Sequence, residues 1–337
     1  MLIEKIVKYS EAALVYQERY INDGSPSGFT ETNRTSTRTD QFGLTPWFYL
    51  YCVEGQGVYF SNYGIIPLDM PTRENGRNWL FIHPDMVSNF PYQKDIDIYE
   101  TDFIKVVPTS SGRTVQLFQN HSRDYIKLHY DAIVGRINRG LPYVKAIAGP
   151  EITNHIRAAI EDEQLPAELS IMEEVGARII KYNNYEAGMV WRKGIPFGRR
   201  TSNVKYLLPY FSLFSIDRLH SYEPILLQQI IDYRDIKPEQ FLTEIILPII
   251  DIYFNLLLKL GFQDELNAQN ILLGMDENFV VKTIVLRDMM GVEKDLTLRE
   301  VLHLDNSFDS YPYKCINNNL QDELYVIRHS FAFDFKL

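Results

Sequence analysis

The sequence predicts a mixed α+β protein: a mostly antiparallel sheet region followed by a helical C-terminal half. Three observations carry that expectation. Short runs rich in aromatic and β-branched residues, bounded by Gly, Pro and Asn, recur between residues 46 and 118. Apolar residues recur at helical spacing over 151–160 and 238–260. Two short apolar runs, 271–273 and 279–286, flank an Asp-Glu-Asn turn and read as a hairpin in the second half.

Taken in order, residues 2–20 predict a helix, with Ile3, Ile6, Val7, Leu14 and Val15 on one face. Residues 22–45 form a polar Gly/Ser/Thr-rich stretch, either a surface loop or a ligand-contacting one, in which Arg34, Ser36 and Arg38 alternate with threonines. Residues 46–68 read as a β-hairpin whose turn is Glu54-Gly55-Gln56-Gly57. A strand over Trp79–Ile82 ends in His83-Pro84, and further strands are expected at 103–108 and 113–118. Gly149-Pro150 reads as a break, with a helix starting near Glu151 that carries Ile152, Ile156 and Ile160. Strands follow in 168–195, then a small basic turn at 199–206 and helices near 222–234 and 238–260. Gly261 is placed to cap the last of these. Residues 293–337 read as a mixed tail.

The chain has 337 residues, long enough for two or three subdomains. The boundaries expected are 1–78, 79–150 and 151–337, with a palm- and fingers-like cleft between the last two. A net charge of −10 argues against general nucleic-acid binding, though a local basic pocket is compatible with an acidic protein. Cys52 and Cys315 make neither a disulfide framework nor a Cys-rich metal site. The apolar run 241–260 is broken by Glu244, Pro248, Asp251 and Lys259. It reads as a buried helix and not a membrane span, with a cytoplasmic protein as the default. The N-terminus lacks the pattern of a signal peptide.

Two stretches carry candidate chemistry. In Val107–Leu141, a hydroxyl-rich turn (Thr109, Ser110, Ser111, Gly112) leads into Arg113 and Thr114. Lys127 and Arg139 follow on nearby segments. Backbone N–H groups and hydroxyls at a Gly-containing turn can hold phosphate oxygens, and the cations neutralise their charge. The same residues also fit a solvated hairpin. In 264–288, amides and carboxylates at the start of one strand, Glu265 to Asn270, face a carboxylate, Asp288, at the end of its neighbour. Such a set suits Mg²⁺, which takes one or two carboxylates, an amide oxygen and the phosphates of its ligand. It equally fits an exposed hairpin. GxxxxGK[ST], GxGxxG, HExxH and GxSxG are absent.

Together these segments resemble the IucA/IucC family, siderophore synthetases that act independently of non-ribosomal peptide synthetases. The resemblance runs from about Trp79 to Gly291. It rests on WLFIHP, VPTSSGRTV, YIKLHYDAIVGRINRGL, GPEI, GMVWR, ELNAQN and LRDMMG, in the family's order. It implies a bacterial cytoplasmic ligase using ATP and Mg²⁺, which adenylates a carboxylate such as citrate or a dicarboxylate. An amine or alcohol then displaces AMP. Arg113, Lys127 and Arg139 would be catalytic. Ser111, Thr114, Asn267, Gln269, Asn270 and Arg287 would bind the nucleotide, with Ser36 and Arg38 standing in for an N-terminal loop. Glu265, Asn270 and Asp288 would hold the metal. The partners implied are small molecules, with no nucleic acid or membrane and a homodimer left open. Three departures stand out. The family's histidine is replaced by Asn267, Arg136 is an added cation, and only about 78 residues precede Trp79. They leave open a phosphoryl-transferring or non-catalytic descendant of the scaffold.

Overall fold

The structure, a computed structural model, describes residues 1–8, 10–22, 48–55, 59–67, 78–91, 96–117, 123–134, 137–311 and 313–316. In chain order its elements begin with helices α1 (Leu2–Lys8) and α2 (Ser10–Tyr20). Strands β1 (Phe48–Gly55), β2 (Tyr59–Gly64), β3 (Asn78–Ile82), β4 (Ile96–Pro108), β5 (Thr114–Leu117), β6 (Tyr125–Leu128), β7 (Tyr130–Val134) and β8 (Ile137–Arg139) follow. After α3 (Tyr143–Glu161) come β9 (Leu169–Ile171), β10 (Glu174–Tyr182), β11 (Tyr185–Arg192), β12 (Phe197–Gly198) and β13 (Tyr206–Pro209). The remainder is α4 (Leu226–Arg234), α5 (Pro238–Leu260), β14 (Phe262–Gln263), β15 (Ile271–Met275), β16 (Val281–Leu286), β17 (Glu293–Asp295), α6 (Leu296–Val301) and β18 (Cys315–Ile316). The α+β class is as the sequence predicts.

The chain divides into two compact units, each discontinuous in sequence. One takes 26–151 and 174–195; the other takes 1–25, 152–173 and 196–337. We call the first the sheet unit and the second the helical unit.

The sheet unit is built on eight antiparallel strands in the order β2-β10-β11-β6-β5-β4-β1-β3. Its core includes Leu50, Cys52, Leu80, Phe81, Val106, Val115, Ile126, Leu128, Ala187 and Met189. The hairpin expected over 46–68 does not form. β1 lies between β4 and β3, whereas β2 pairs with β10. Both strands are correctly expected, but a Gly-rich link between aromatic runs specifies only that the chain turns. Which strands pair depends on which apolar faces bury together.

The helical unit holds a second sheet, β12-β9-β16-β15-β13, in which β9 and β16 run parallel. Every residue of β15 is buried, as a central strand requires. α5 lays Phe241, Ile245, Ile249, Ile252, Leu256 and Leu260 into the core of this unit. Their three-to-four-residue spacing makes one continuous apolar stripe. Gly261 ends the helix in a left-handed conformation, φ 61°, and its N–H bonds back to Leu257. By length and composition alone α5 is apolar enough to cross a membrane, but its stripe is core here. Both cysteines are free thiols.

Gly149-Pro150 does not start a helix. α3 runs through it from Tyr143. A mid-helix proline forfeits a backbone hydrogen bond and costs about 3 kcal/mol. Burial on both sides offsets that cost. Ala146 and Ile147 pack in the sheet unit, and Ile152, Ile156 and Ile160 pack in the helical unit. Gly149 serves close packing: a Cβ there would fall 1.8 Å from Glu174 Oε2.

Candidate functional site

In the sheet unit, β4 ends at Pro108 and the chain turns back into β5 through Thr109–Arg113. Gly112 has φ +77°, a conformation that L side chains resist. The turn is closed from within. The Thr109 N–H donates to Thr114 O at 3.1 Å, and the Gly112 N–H to Thr109 O at 3.3 Å. The Thr109 hydroxyl donates to Thr114 O at 2.8 Å, and Ser111 Oγ accepts from the Thr114 N–H at 2.9 Å. These hydroxyls therefore shape the turn first. Ser111 is the half-buried member of the set, whereas Ser110 and Thr114 are buried.

The cations around this turn are not a solvated face. Arg113 is 6% exposed and Lys127 only 1%. The Arg113 guanidinium donates to the backbone carbonyl of Arg139, tying the turn to the short β7–β8 ladder. Thr114 sits opposite Lys127 across β5 and β6. Lys127 Nζ stands 3.0 Å from Glu174 Oε1, and Arg192 Nη2 donates to the same oxygen at 2.7 Å. Arg139 is half-buried. The sheet thus gathers Ser111, Arg113, Thr114 and Lys127, and Arg113 ties the backbone of Arg139, on the separate β7–β8 ladder, to them. Burying that much positive charge is costly unless anions share the space. Glu174, fully buried, supplies one.

His129 lies beside this group. Its Nδ1 accepts from the Leu141 N–H at 3.0 Å. Burial pushes its pKa down to about 4 against the opposing pull of Asp131, so the ring is neutral near pH 7.

The second set lies in the helical unit. Asn267 Oδ1 accepts from the N–H groups of Gln269 and Asn270, both at 3.0 Å. Asn is well suited to such a turn. Asn270 donates through Nδ2 to Glu265 O at 3.1 Å. Arg287 is an internal brace. It is 6% exposed and ion-paired with Glu18 of α2, and its Nε donates to Gln269 O at 2.7 Å. The Arg287 N–H bonds Asn270 O at 2.9 Å. These contacts lock the Gln269-Asn270 turn to the Arg287-Asp288 turn. Asp288 adopts φ 71°, ψ 52°, unusual for a residue with a Cβ. Lys314 pairs with Glu265 and donates to Gly291 O at 2.7 Å.

Asp264 opens the polar turn read in the sequence but is not among its expected site residues, because it precedes the motif. It is 1% exposed, and neither carboxylate oxygen has a hydrogen-bond partner among the described residues. Burial raises its pKa to about 8, and the charges of Glu265 and Asp288 add to the rise. Buried beside Glu265 and Asp288, this carboxyl keeps its proton near pH 7 and is uncharged. Among the described residues, no group of three or more His, Cys, Asp or Glu could hold a metal ion. Ser36 and Arg38 lie outside the described residues.

Sequence reasoning also missed Glu174 and Glu18. Both are ordinary acidic residues within strand- or helix-forming runs, and only burial against a cation distinguishes them.

Residues 79–214 match the IucA / IucC family. No curated protein sequence matches the chain. Among solved structures, the petrobactin biosynthesis protein AsbB of Bacillus anthracis str. Sterne superposes with a TM-score of 0.70 at 14% identity. The match covers 97% of this chain and 67% of that one. ATP-bound aerobactin synthetase IucA from a hypervirulent Klebsiella pneumoniae pathotype gives 0.65 at 14% identity, over 97% and 66% of the two chains. Aerobactin synthetase IucC from the same pathotype gives 0.66 at 14%, over 99% and 66%. The chain thus spans about two thirds of the length of these structures and shares their fold. The turn, Lys127, Arg139, Glu174 and Arg192 all fall inside 79–214, the segment that is similar to the IucA / IucC family.

Proposed function

We propose that the protein is an ATP-dependent synthetase that joins a carboxylate to an amine or an alcohol in siderophore or related small-molecule biosynthesis. The observation that carries this reading is the pair of buried cations, Arg113 and Lys127, with half-buried Arg139 tied to Arg113 through its carbonyl, within the segment that matches the family. The ATP-bound state of one structure of like fold adds support.

In this reading a carboxylate oxygen of the acid attacks the α-phosphorus of ATP. The bond to the β-phosphate breaks and pyrophosphate leaves. The nitrogen or oxygen of the second substrate then attacks the acyl carbon, loses its proton, and expels AMP. No covalent bond to the protein is needed. The site must align the reactants and stabilise charge on the phosphates. Arg113, Lys127 and Arg139 take that role, and Ser111 and Thr114 orient the phosphates. Gln269 and Asn267 contact the nucleotide. Asp288, Asn270 and Glu265 would hold Mg²⁺, which neutralises phosphate charge when bound. Arg287 aligns the two turns that carry these ligands.

The test is product analysis. Full-length protein with ATP, Mg²⁺ and a panel of citrate, dicarboxylates, amines and alcohols should release AMP and pyrophosphate in step with amide or ester. ADP as the product would instead favour phosphoryl transfer. No product, with no thermal shift on adding ATP, would mark a non-catalytic descendant.

A further inference from the structure

Glu174 has no place in the reaction just described, yet it is the most constrained charged side chain beside it. It is fully buried. One of its oxygens, Oε1, receives both Lys127 Nζ at 3.0 Å and Arg192 Nη2 at 2.7 Å. The strand register enforces this arrangement. Glu174 lies opposite Arg192 across β10 and β11, and Lys127 lies on β6, the other neighbour of β11. Lys127 in turn faces Thr114 of the turn. A wall stands on the far side of the carboxylate. At Gly149 of α3, an added Cβ would fall 1.8 Å from Oε2 and 2.8 Å from the carboxyl carbon. The helix backbone therefore closes on the carboxylate and leaves it one position.

Two consequences follow from elementary electrostatics. Cations sharing one buried oxygen lose most of their rotamer freedom, so their charges are aimed before any ligand arrives. The carboxylate also offsets part of their field, which would otherwise act in full on a nearby anion. We propose that Glu174, wedged between Gly149 and the β6–β11 strands, is a positioning residue that aims Lys127 at the Thr109–Thr114 turn and tempers the pull of Lys127 and Arg192 on a polyphosphate. The inference rests on the synthetase reading of Lys127 as a phosphate contact.

Alignment and tempering separate experimentally in the full chain. Glu174→Gln keeps the shape and removes the charge. Tripolyphosphate, titrated calorimetrically, should bind at least fivefold tighter, while AMP release at saturating ATP and Mg²⁺ slows at least tenfold. Gly149→Ala keeps every charge and displaces the carboxylate. It should lower kcat about tenfold and leave the KM for ATP within twofold. A merely structural residue would not tighten binding while slowing turnover. If Glu174→Gln fails to fold, Gly149→Ala decides through the split between kcat and KM. Wild-type behaviour of both variants, in a wild type that binds tripolyphosphate, overturns the positioning role and leaves the synthetase reading intact. A wild type that neither binds tripolyphosphate nor forms AMP overturns the synthetase reading, and this inference with it.

Discussion

Asp264 offers the sharpest test of the electrostatics of the helical unit, and the perturbation is Asp264→Asn. The side chain is buried without a hydrogen-bond partner among the described residues, and burial, with Glu265 and Asp288 adding to it, raises its pKa from 3.8 to about 8. A carboxyl whose folded pKa is raised stabilises the fold below its unfolded pKa. That stability is lost as pH climbs through the folded value. The window here is therefore pH 4 to 8. At about 1.4 kcal/mol per pH unit, ionisation of Asp264 costs the fold roughly 1–2 kcal/mol at pH 5 and about 5 kcal/mol at pH 8. Asparagine cannot ionise, although its buried amide keeps a desolvation penalty of about 1–3 kcal/mol at every pH. The substitution should thus be about 3–4 kcal/mol more favourable at pH 8 than at pH 5. Urea unfolding of both proteins across that range, followed by circular dichroism, measures the difference. A ΔΔG independent of pH would refute the reasoning, because it would mean that Asp264 is already ionised and paired in the folded protein.

Three further outcomes are expected. Arg139→Ala should lower kcat/KM for ATP more than 100-fold, since losing a charged transition-state contact costs a few kcal/mol; unchanged steady-state kinetics would remove Arg139 from the site. Arg287→Met should destabilise the fold by about 3–5 kcal/mol by removing the guanidinium paired with buried Glu18. The double variant with Glu18→Gln should recover at least ~1 kcal/mol of that, and strict additivity in denaturant midpoints would sink the brace. His129 has a folded pKa depressed to about 4, so its contribution is present above pH 6.5 and is lost as pH falls through 4. His129→Asn, which keeps an acceptor for the Leu141 N–H, should flatten acid unfolding across that interval by about 3 kcal/mol; an unaltered acid limb would show that the ring is already protonated.

Much of the local structure was legible. The stripe of α5 and its Gly261 cap follow from a 3.6-residue period ended by glycine. The hairpin of β15 and β16 follows from two apolar runs about an Asp-Glu-Asn turn. The Thr109–Thr114 turn was legible from its glycine and hydroxyls, and its closeness to Lys127 from the two short strands that flank it. Pairing between distant strands was not. Nothing local distinguishes a β1–β2 hairpin from β1 against β4 and β2 against β10. Gly149-Pro150 misled for a related reason. The local penalty of proline is visible in the sequence, whereas the burial that offsets it belongs to residues elsewhere in the chain.

For the site, residue type and spacing by themselves determined that hydroxyls, cations, amides and carboxylates were grouped on two stretches, because those chemistries are written in the side chains. Only the tertiary structure decided what each of them does. Lys127 is held by Glu174, Arg287 is bound to Glu18, and Asp264 is shut away from water. Burial is the physical reason. It turns a carboxylate from a solvated surface charge into a strut, a brace or a proton-holding acid, and burial is a property of the packed chain and not of any segment within it.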